Sequence, residues 1–287
     1  IGLTLVVSLI IYYVARRNKF RIKTSENVAT NKNIESSEVI TNKNHFQNAC
    51  NLIFFGGFQA FDKQMEDITN KFSPLLKELF LLIFLNTSKN GKGISNKKII
   101  EILWSHKPEK SARNNLAVTK VKLRSLLHEI GELELSNKTG YWKISFNENK
   151  VKSDYLEFLK MTSSIETADK QKISALIKLT QRGAFLINLE YEWLDEFKAI
   201  VSDRIIDTLV QFGQSFEIEK DPELISQLAD CVTNFDIVNE EAMILKCKAQ
   251  VHMHKHSLAK ATFEKFCEKY EEIYGEKYNN SYKEILT

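Results

Sequence analysis

The sequence predicts a mainly α chain in two parts: a small α+β module with an antiparallel sheet and a closing β-hairpin over residues 51–150, then an all-α module over 151–287. Three observations predict it. Short aromatic and β-branched runs, and a hairpin centred on a turn, bracket three helical patterns in the first part. Helical periodicity is nearly unbroken in the second. Three prolines, ten glycines and 27% charged residues fit a helix-rich globular chain and exclude fibrous and collagen-like classes. At 287 residues there is room for two domains and a linker.

The net charge of +3 conceals a division. Residues 1–150 hold 23 Lys and Arg against 13 Asp and Glu, whereas 151–287 hold 17 against 24. A basic half joined to an acidic half points to a polyanion or an anionic surface as partner of the first. The four cysteines, Cys50, Cys231, Cys247 and Cys267, form no CxxC pair and have no His at zinc-finger spacing. They read as small buried hydrophobes of a reducing compartment.

Ile1 to Val14 carry no charge and are followed by Arg16, Arg17, Lys19, Arg21 and Lys23. Fourteen residues of helix reach about 21 Å, short of a hydrocarbon core of roughly 30 Å. The sequence opens without a methionine, so the run is read as the end of a longer transmembrane helix and the chain as a fragment. An apolar run with Tyr12 and Tyr13 at its boundary and cations beyond it predicts a single-pass inner (cytoplasmic) membrane anchor, with residues after Val14 in the cytoplasm. A secretory signal would place its charges first. Residues 15–50 are then a basic juxtamembrane segment and a polar tether, spanning on the order of 30 Å as a coil.

From residue 51 the elements can be justified in order. Asn51 to Phe55, Phe58 to Phe61 and a third run ending at Thr69 read as strands of a small sheet. Ser73-Pro74 starts a helix through Leu85 that is apolar on nearly every side and so central to its core. Asn86 to Gly93 reads as a turn, Ser95 caps a short helix to Trp104, and Pro108 breaks the chain before a long helix from about Ser111 to Ile130. Glu132 to Ser136 and Tyr141 to Phe146 flank Asn137-Lys138-Thr139-Gly140 as a β-hairpin. Sheet, three helices and hairpin are the element order of a winged helix-turn-helix.

The basic charge concentrates here. Between Gly91 and His128 there are nine cations and two acids. In projection the long helix buries Ala112, Leu116, Leu123, Leu127 and Ile130. Asn114, Val118, Val121 and Ser125 take the opposite face, flanked by Asn115 and Lys122. Amides, aliphatics and cations on one exposed face suit a major groove, where Asn pairs with adenine, valine meets the thymine methyl and Lys reaches guanine or phosphate. Arg113 and Arg124 lie nearer the edges, where phosphates would be held, and Lys110 is a further candidate for DNA binding. Lys120 falls beside the buried stripe, so its side chain must snorkel outward.

On these residues the segment from Asn51 to Phe146 resembles the OmpR-type winged-helix DNA-binding domain. The most specific parts are Lys120 to Leu127, "KVKLRSLL", and Asn137 to Trp142, "NKTGYW". The resemblance implies the third helix in the major groove and makes Lys138 and Thr139 wing contacts, with Tyr141 and Trp142 available to pack the wing on the core.

Helices are predicted at Ser153–Met161, Ala168–Thr180, Glu192–Phe212, Pro222–Thr233, Asn239–His254 and Ser257–Tyr274. Paired helices with small residues at Ala242, Ala249, Ala259 and Ala261 suggest a tetratricopeptide-like repeat. Gln181 to Phe197, "QRGAFLINLEYEWLDEF", resembles the bacterial transcriptional activator domain that follows OmpR-type winged helices in antibiotic-pathway regulators, through Gly183, Phe185, Leu186, Trp193 and Leu194. Membrane-anchored relatives carry a periplasmic sensor, often a β-propeller, ahead of a single span.

No catalytic set is apparent. Asp195 and Glu196 are adjacent on a helix and point about 100° apart. His252, His254 and His256 scatter around a helix end, and no P-loop, GxGxxG or GxSxG occurs. The expectation is therefore a membrane-tethered transcription regulator without enzymatic activity, cofactor or metal. Its partners would be double-stranded DNA, a second copy in a homodimer, RNA polymerase through the helical domain, and the membrane. The rival is a membrane-anchored interaction scaffold whose basic face meets acidic lipid or protein.

Overall fold

The computed structural model describes residues 50–137, 140–147, 149–163 and 169–287. The anchor and tether expected over residues 1–49 therefore lie outside the described residues. The architecture is mainly α, with two small antiparallel sheets.

Residues 50–287 form one compact unit. It begins with β1 (Leu52–Ile53) and β2 (Gln59–Ala60), paired Leu52 to Ala60 and Ile53 to Gln59. The third apolar run does not extend this pair. Asp62 Oδ1 accepts the N–H groups of Gln64 and Glu66, and Asp67 Oδ1 accepts that of Thr69. These side-chain bonds curl the backbone, which makes a single bridge from Phe61 to Asp67 and then a 3-10 turn at Thr69–Lys71.

Helix α1 (Pro74–Asn90) begins at Pro74 as expected, but it runs five residues beyond Leu85. Asn86, Thr87 and Ser88, a composition that reads as a turn, send their side-chain donors back to the carbonyls of Leu82, Ile83 and Phe84. The helix can thus continue to Gly91, which closes it in the left-handed region at φ 68°. After β3 (Ile94–Ser95), α2 (Asn96–Trp104) is capped by the Ser95 hydroxyl, which accepts the Lys98 N–H. Helix α3 (Glu109–Ile130) and the hairpin of β4 (Leu133–Asn137) and β5 (Tyr141–Phe146) complete the module. The sheet order is β3-β5-β4.

The helices that follow are α4 (Asp154–Met161), α5 (Lys170–Thr180), α6 (Asp195–Ser215), α7 (Pro222–Phe235), α8 (Glu240–His252) and α9 (His256–Tyr274). Side-chain caps open three of them: Asp169, Asp221 and Asn239 accept the N–H groups of Lys172, Leu224 and Ala242. Helices α7, α8 and α9 pack in succession, as expected for a repeat-like array. An added Cβ at Gly213 in α6 would meet Leu245 Cδ1 of α8 at 2.6 Å, so this small residue lets two helices approach closely.

One hydrophobic core runs from Leu52 to Ala249 without interruption at residue 150. Leu52 bridges to Ser153 and Phe55 to Phe185, so the first sheet is extended by backbone of the helical part. Phe55 packs on Phe158 and Phe185 at ring separations of 5.6 and 5.7 Å. Beneath them Asp154, 1% exposed, accepts the N–H groups of Phe54 and Phe55 at 2.8 and 3.2 Å. Glu78 of α1 receives the Trp193 indole N–H, and Lys89 pairs with Glu196 at 2.6 Å. These bonds join the first sheet and α1 to the helical part.

Candidate nucleic-acid interface

Helix α3 buries Ala112, Leu116, Leu123, Leu127 and Ile130, together with Thr119 and Leu126. The hydroxyl of Thr119 is satisfied by the Asn115 carbonyl at 2.7 Å. The buried stripe fixes the rotation of the helix. Lys110, Arg113, Asn114, Lys122, Arg124 and Ser125 are exposed, and Asn115 is half-buried. Val118 and Val121 are 58% and 64% exposed. The face projected from the sequence is thus the face turned to solvent. Lys138 and Thr139 lie outside the described residues.

The structure adds a junction that the spacing alone did not reveal. Trp142 of β5 is buried, and its indole N–H donates to Asn96 Oδ1 at 2.7 Å. Lys120 Nζ stands 3.9 Å from the centre of that ring, and the Arg124 guanidinium lies 5.5 Å from it. The side chain of Lys120 therefore leaves the buried stripe along an aromatic face. Burial, reinforced by the neighbouring Arg124 charge, holds its ammonium below the usual lysine range. Trp142 ties the hairpin to both α2 and α3. The signal in the sequence was Lys120 itself, a cation placed where the periodicity asks for an apolar residue.

The exposed Arg113 is paired with Glu109 one turn earlier, Nη2 to Oε1 at 2.5 Å. Such a pair at the surface contributes little and is readily exchanged for a phosphate. Between α2 and α3 an open cleft of about 940 Å³ is lined by Lys97, Lys107, Arg113 and Lys120 together with Glu101 and Glu109. The four cations outnumber the two acids, so the cleft favours an anion beside the exposed face.

Elsewhere the sequence-level candidates for other chemistry stay apart. His252, His254 and His256 are exposed, and among the described residues no three His, Cys, Asp or Glu side chains converge as a metal site would require. Cys50, Cys231 and Cys247 are buried free thiols, and burial pushes the Cys50 thiol up to about 12. Asp195 and Glu196 open α6, with Glu196 turned to Lys89.

Three helices with the third exposed beside a two-stranded wing, followed by successively packed helices, define a winged helix-turn-helix joined to an all-α repeat-like domain. The fold is similar to that of Mycobacterium tuberculosis EmbR, solved in complex with a low-affinity phosphopeptide. The likeness has a TM-score of 0.63 at 15% sequence identity and covers 82% of this chain and 63% of that one. The chain thus spans less than two thirds of the EmbR chain, and the likeness is one of fold. Neither known family profiles nor curated proteins match the sequence.

Proposed function

We propose that the chain is a sequence-specific, DNA-binding transcription regulator that places α3 in the major groove. The observation that carries this reading is the exposed α3 face, in which Asn114, Val118, Val121 and Ser125 stand beside Lys122 and are bordered by cations. The fold likeness to EmbR supports the architecture, and the motifs "KVKLRSLL" and "NKTGYW" support the assignment of helix and wing. Asn114, Asn115, Val118, Val121, Lys122 and Ser125 would face base edges. Lys110, Arg113, Arg124, Lys138 and Thr139 would hold backbone phosphates. A single winged helix buries little surface, so two copies on neighbouring half-sites are part of the proposal, with the helical domain meeting a second copy or RNA polymerase.

The proposal also places the chain at the inner membrane through Ile1 to Val14, with the described unit in the cytoplasm and no enzymatic activity. What supports the tether is the sequence pattern alone. No helix among the described residues is long and apolar enough to cross a membrane. Fractionation of the full chain checks it: recovery in the membrane fraction, abolished by deleting residues 1–14, is the expected outcome.

DNA binding is tested by mobility shift with duplexes selected from a random pool. If some five phosphates are neutralised, log K falls with log salt with a slope of roughly −4 to −5. An Asn114→Ala, Lys122→Ala double variant should lose sequence preference and most affinity. Unchanged binding by that variant, or no duplex enriched at all, would contradict the reading.

A further inference from the structure

The make-up of the α3 face carries more than its fit to a groove. Val118 and Val121 are 58% and 64% exposed in the middle of a helix. There a β-branched side chain lowers helix propensity and buries nothing in return. Along the same face Asn114, Ala117 and Ser125 are exposed. No arginine occupies its centre. The helix has two, Arg113 and Arg124. The first is paired with Glu109 at 2.5 Å and lines the cleft towards α2, and the second lies against the Trp142 ring of β5. Lys120 spans the same ring.

In the major groove guanine is met by Arg or Lys, adenine by Asn or Gln, and the C5 methyl of thymine by an aliphatic side chain. A face whose centre is two valines, an alanine and an asparagine, with its guanidinium groups drawn to its edges, is built for methyls and adenine. The flanks supply the electrostatic complement of a duplex: Lys110 is exposed on one side and Lys97 and Lys107 line the adjoining cleft, while Lys122, exposed on the other side, borders the base-facing row. Resting on the DNA-binding reading above, we propose that α3 selects A·T-rich half-sites, with Val118 and Val121 packed on thymine methyls and Asn114 paired with adenine. The cationic edges then hold phosphates and add affinity without sequence preference.

The test uses the 287-residue chain and a random duplex pool. A·T pairs should be enriched at the centre of each selected half-site. Thymines of the selected site are then replaced one at a time by deoxyuridine, which removes the C5 methyl and nothing else. Binding should weaken about 3- to 10-fold at one or two central positions and hold at flanking ones. Val118→Ala and Val121→Ala, exposed positions whose exchange leaves folding intact, should each abolish the deoxyuridine effect at one position. Sites centred on G·C, or binding indifferent to deoxyuridine throughout, would overturn the proposal and leave DNA binding standing. A pool in which no duplex is enriched would overturn both.

Discussion

Asp154 sits in the protein interior with both carboxylate oxygens committed: Oδ1 to the Phe54 N–H, Oδ2 to the Phe55 N–H, and Arg182 Nη1 3.6 Å from Oδ2. Burial pushes its carboxyl up to about 6, against the opposing pull of the two backbone bonds and the Arg182 charge. Because the folded value lies above the ordinary 3.8, the native state binds this proton more tightly than the unfolded chain does. The group's contribution to stability therefore rises as pH falls from above 6 towards 4 and is lost as pH rises through the folded value. Asp154→Asn removes that dependence. Its amide also presents N–H to N–H on one side, at a cost of about 1 to 3 kcal/mol at pH 7.5. Urea unfolding of both proteins should show the wild type gaining about 1 kcal/mol relative to the variant between pH 7.5 and 5. Parallel pH profiles would refute the assignment. In the sequence Asp154 looks like an ordinary first-turn acid of a helix, and nothing local announces that its partners lie a hundred residues earlier.

At the scale of elements, periodicity marked α2, the α3 stripe and the hairpin, because each buries one face and turns the other to solvent. It failed where a side chain substitutes for backbone. Thr87 shows how: its hydroxyl donates to the Ile83 carbonyl at 2.7 Å and accepts the Ile144 N–H of β5 at 3.2 Å. The last turn of α1 is thus a bracket for the wing strand, although its composition reads as a loop. The same corner contains two glycines with positive φ, Gly91 at 68° and Gly93 at 84°. A Cβ on Gly91 meets nothing within 4 Å, whereas one on Gly93 would come 2.0 Å from the Trp142 carbonyl oxygen. Gly91→Ala should therefore cost about 1 to 2 kcal/mol, the price of the left-handed region alone. Gly93→Ala must also displace β5 and should cost at least twice as much, with a change in tryptophan emission as Trp142 moves. Equal losses in urea unfolding would mean that β3 and β5 do not approach as closely as this. The candidate interface was legible for a related reason. An exposed face is defined by what the buried stripe excludes, so Asn114, Val118, Val121 and Ser125 followed from Leu116, Leu123 and Leu127 without tertiary information. The tie between Lys120, Trp142 and Asn96 did not, since it joins three elements.

For the whole molecule, the charge division of the sequence and the continuity of its core pull in different directions. Charge separates a basic first half from an acidic second half, whereas the core makes residues 50–287 one unit. Phe54 and Phe55, fully buried, are covered in part by Tyr155, Phe158 and Phe185. Gly56 approaches the other part so closely that a Cβ would stand 2.2 Å from the Arg182 carbonyl oxygen. Removing everything after residue 150 would expose those rings, each worth about 1.5 to 3 kcal/mol when buried. It would also strand the Phe54 and Phe55 N–H groups that Asp154 now satisfies. The sum is comparable to the roughly 5 to 15 kcal/mol that holds an ordinary domain together. A fragment of residues 50–150 is therefore expected to be largely unfolded at room temperature, and residues 50–287 to unfold as one cooperative unit. In a Trp193→Phe background, tryptophan emission reports on the winged helix through Trp104 and Trp142, and far-ultraviolet circular dichroism is dominated by the longer helical part. The two urea curves should coincide. A 50–150 fragment with a sharp transition of its own, or two separated curves for the longer chain, would show that the junction couples the parts only loosely. If the curves coincide, a ligand on α3 stabilises helices it never touches. At one hundred times its dissociation constant, DNA would then raise the unfolding free energy reported by both probes by about 2.7 kcal/mol.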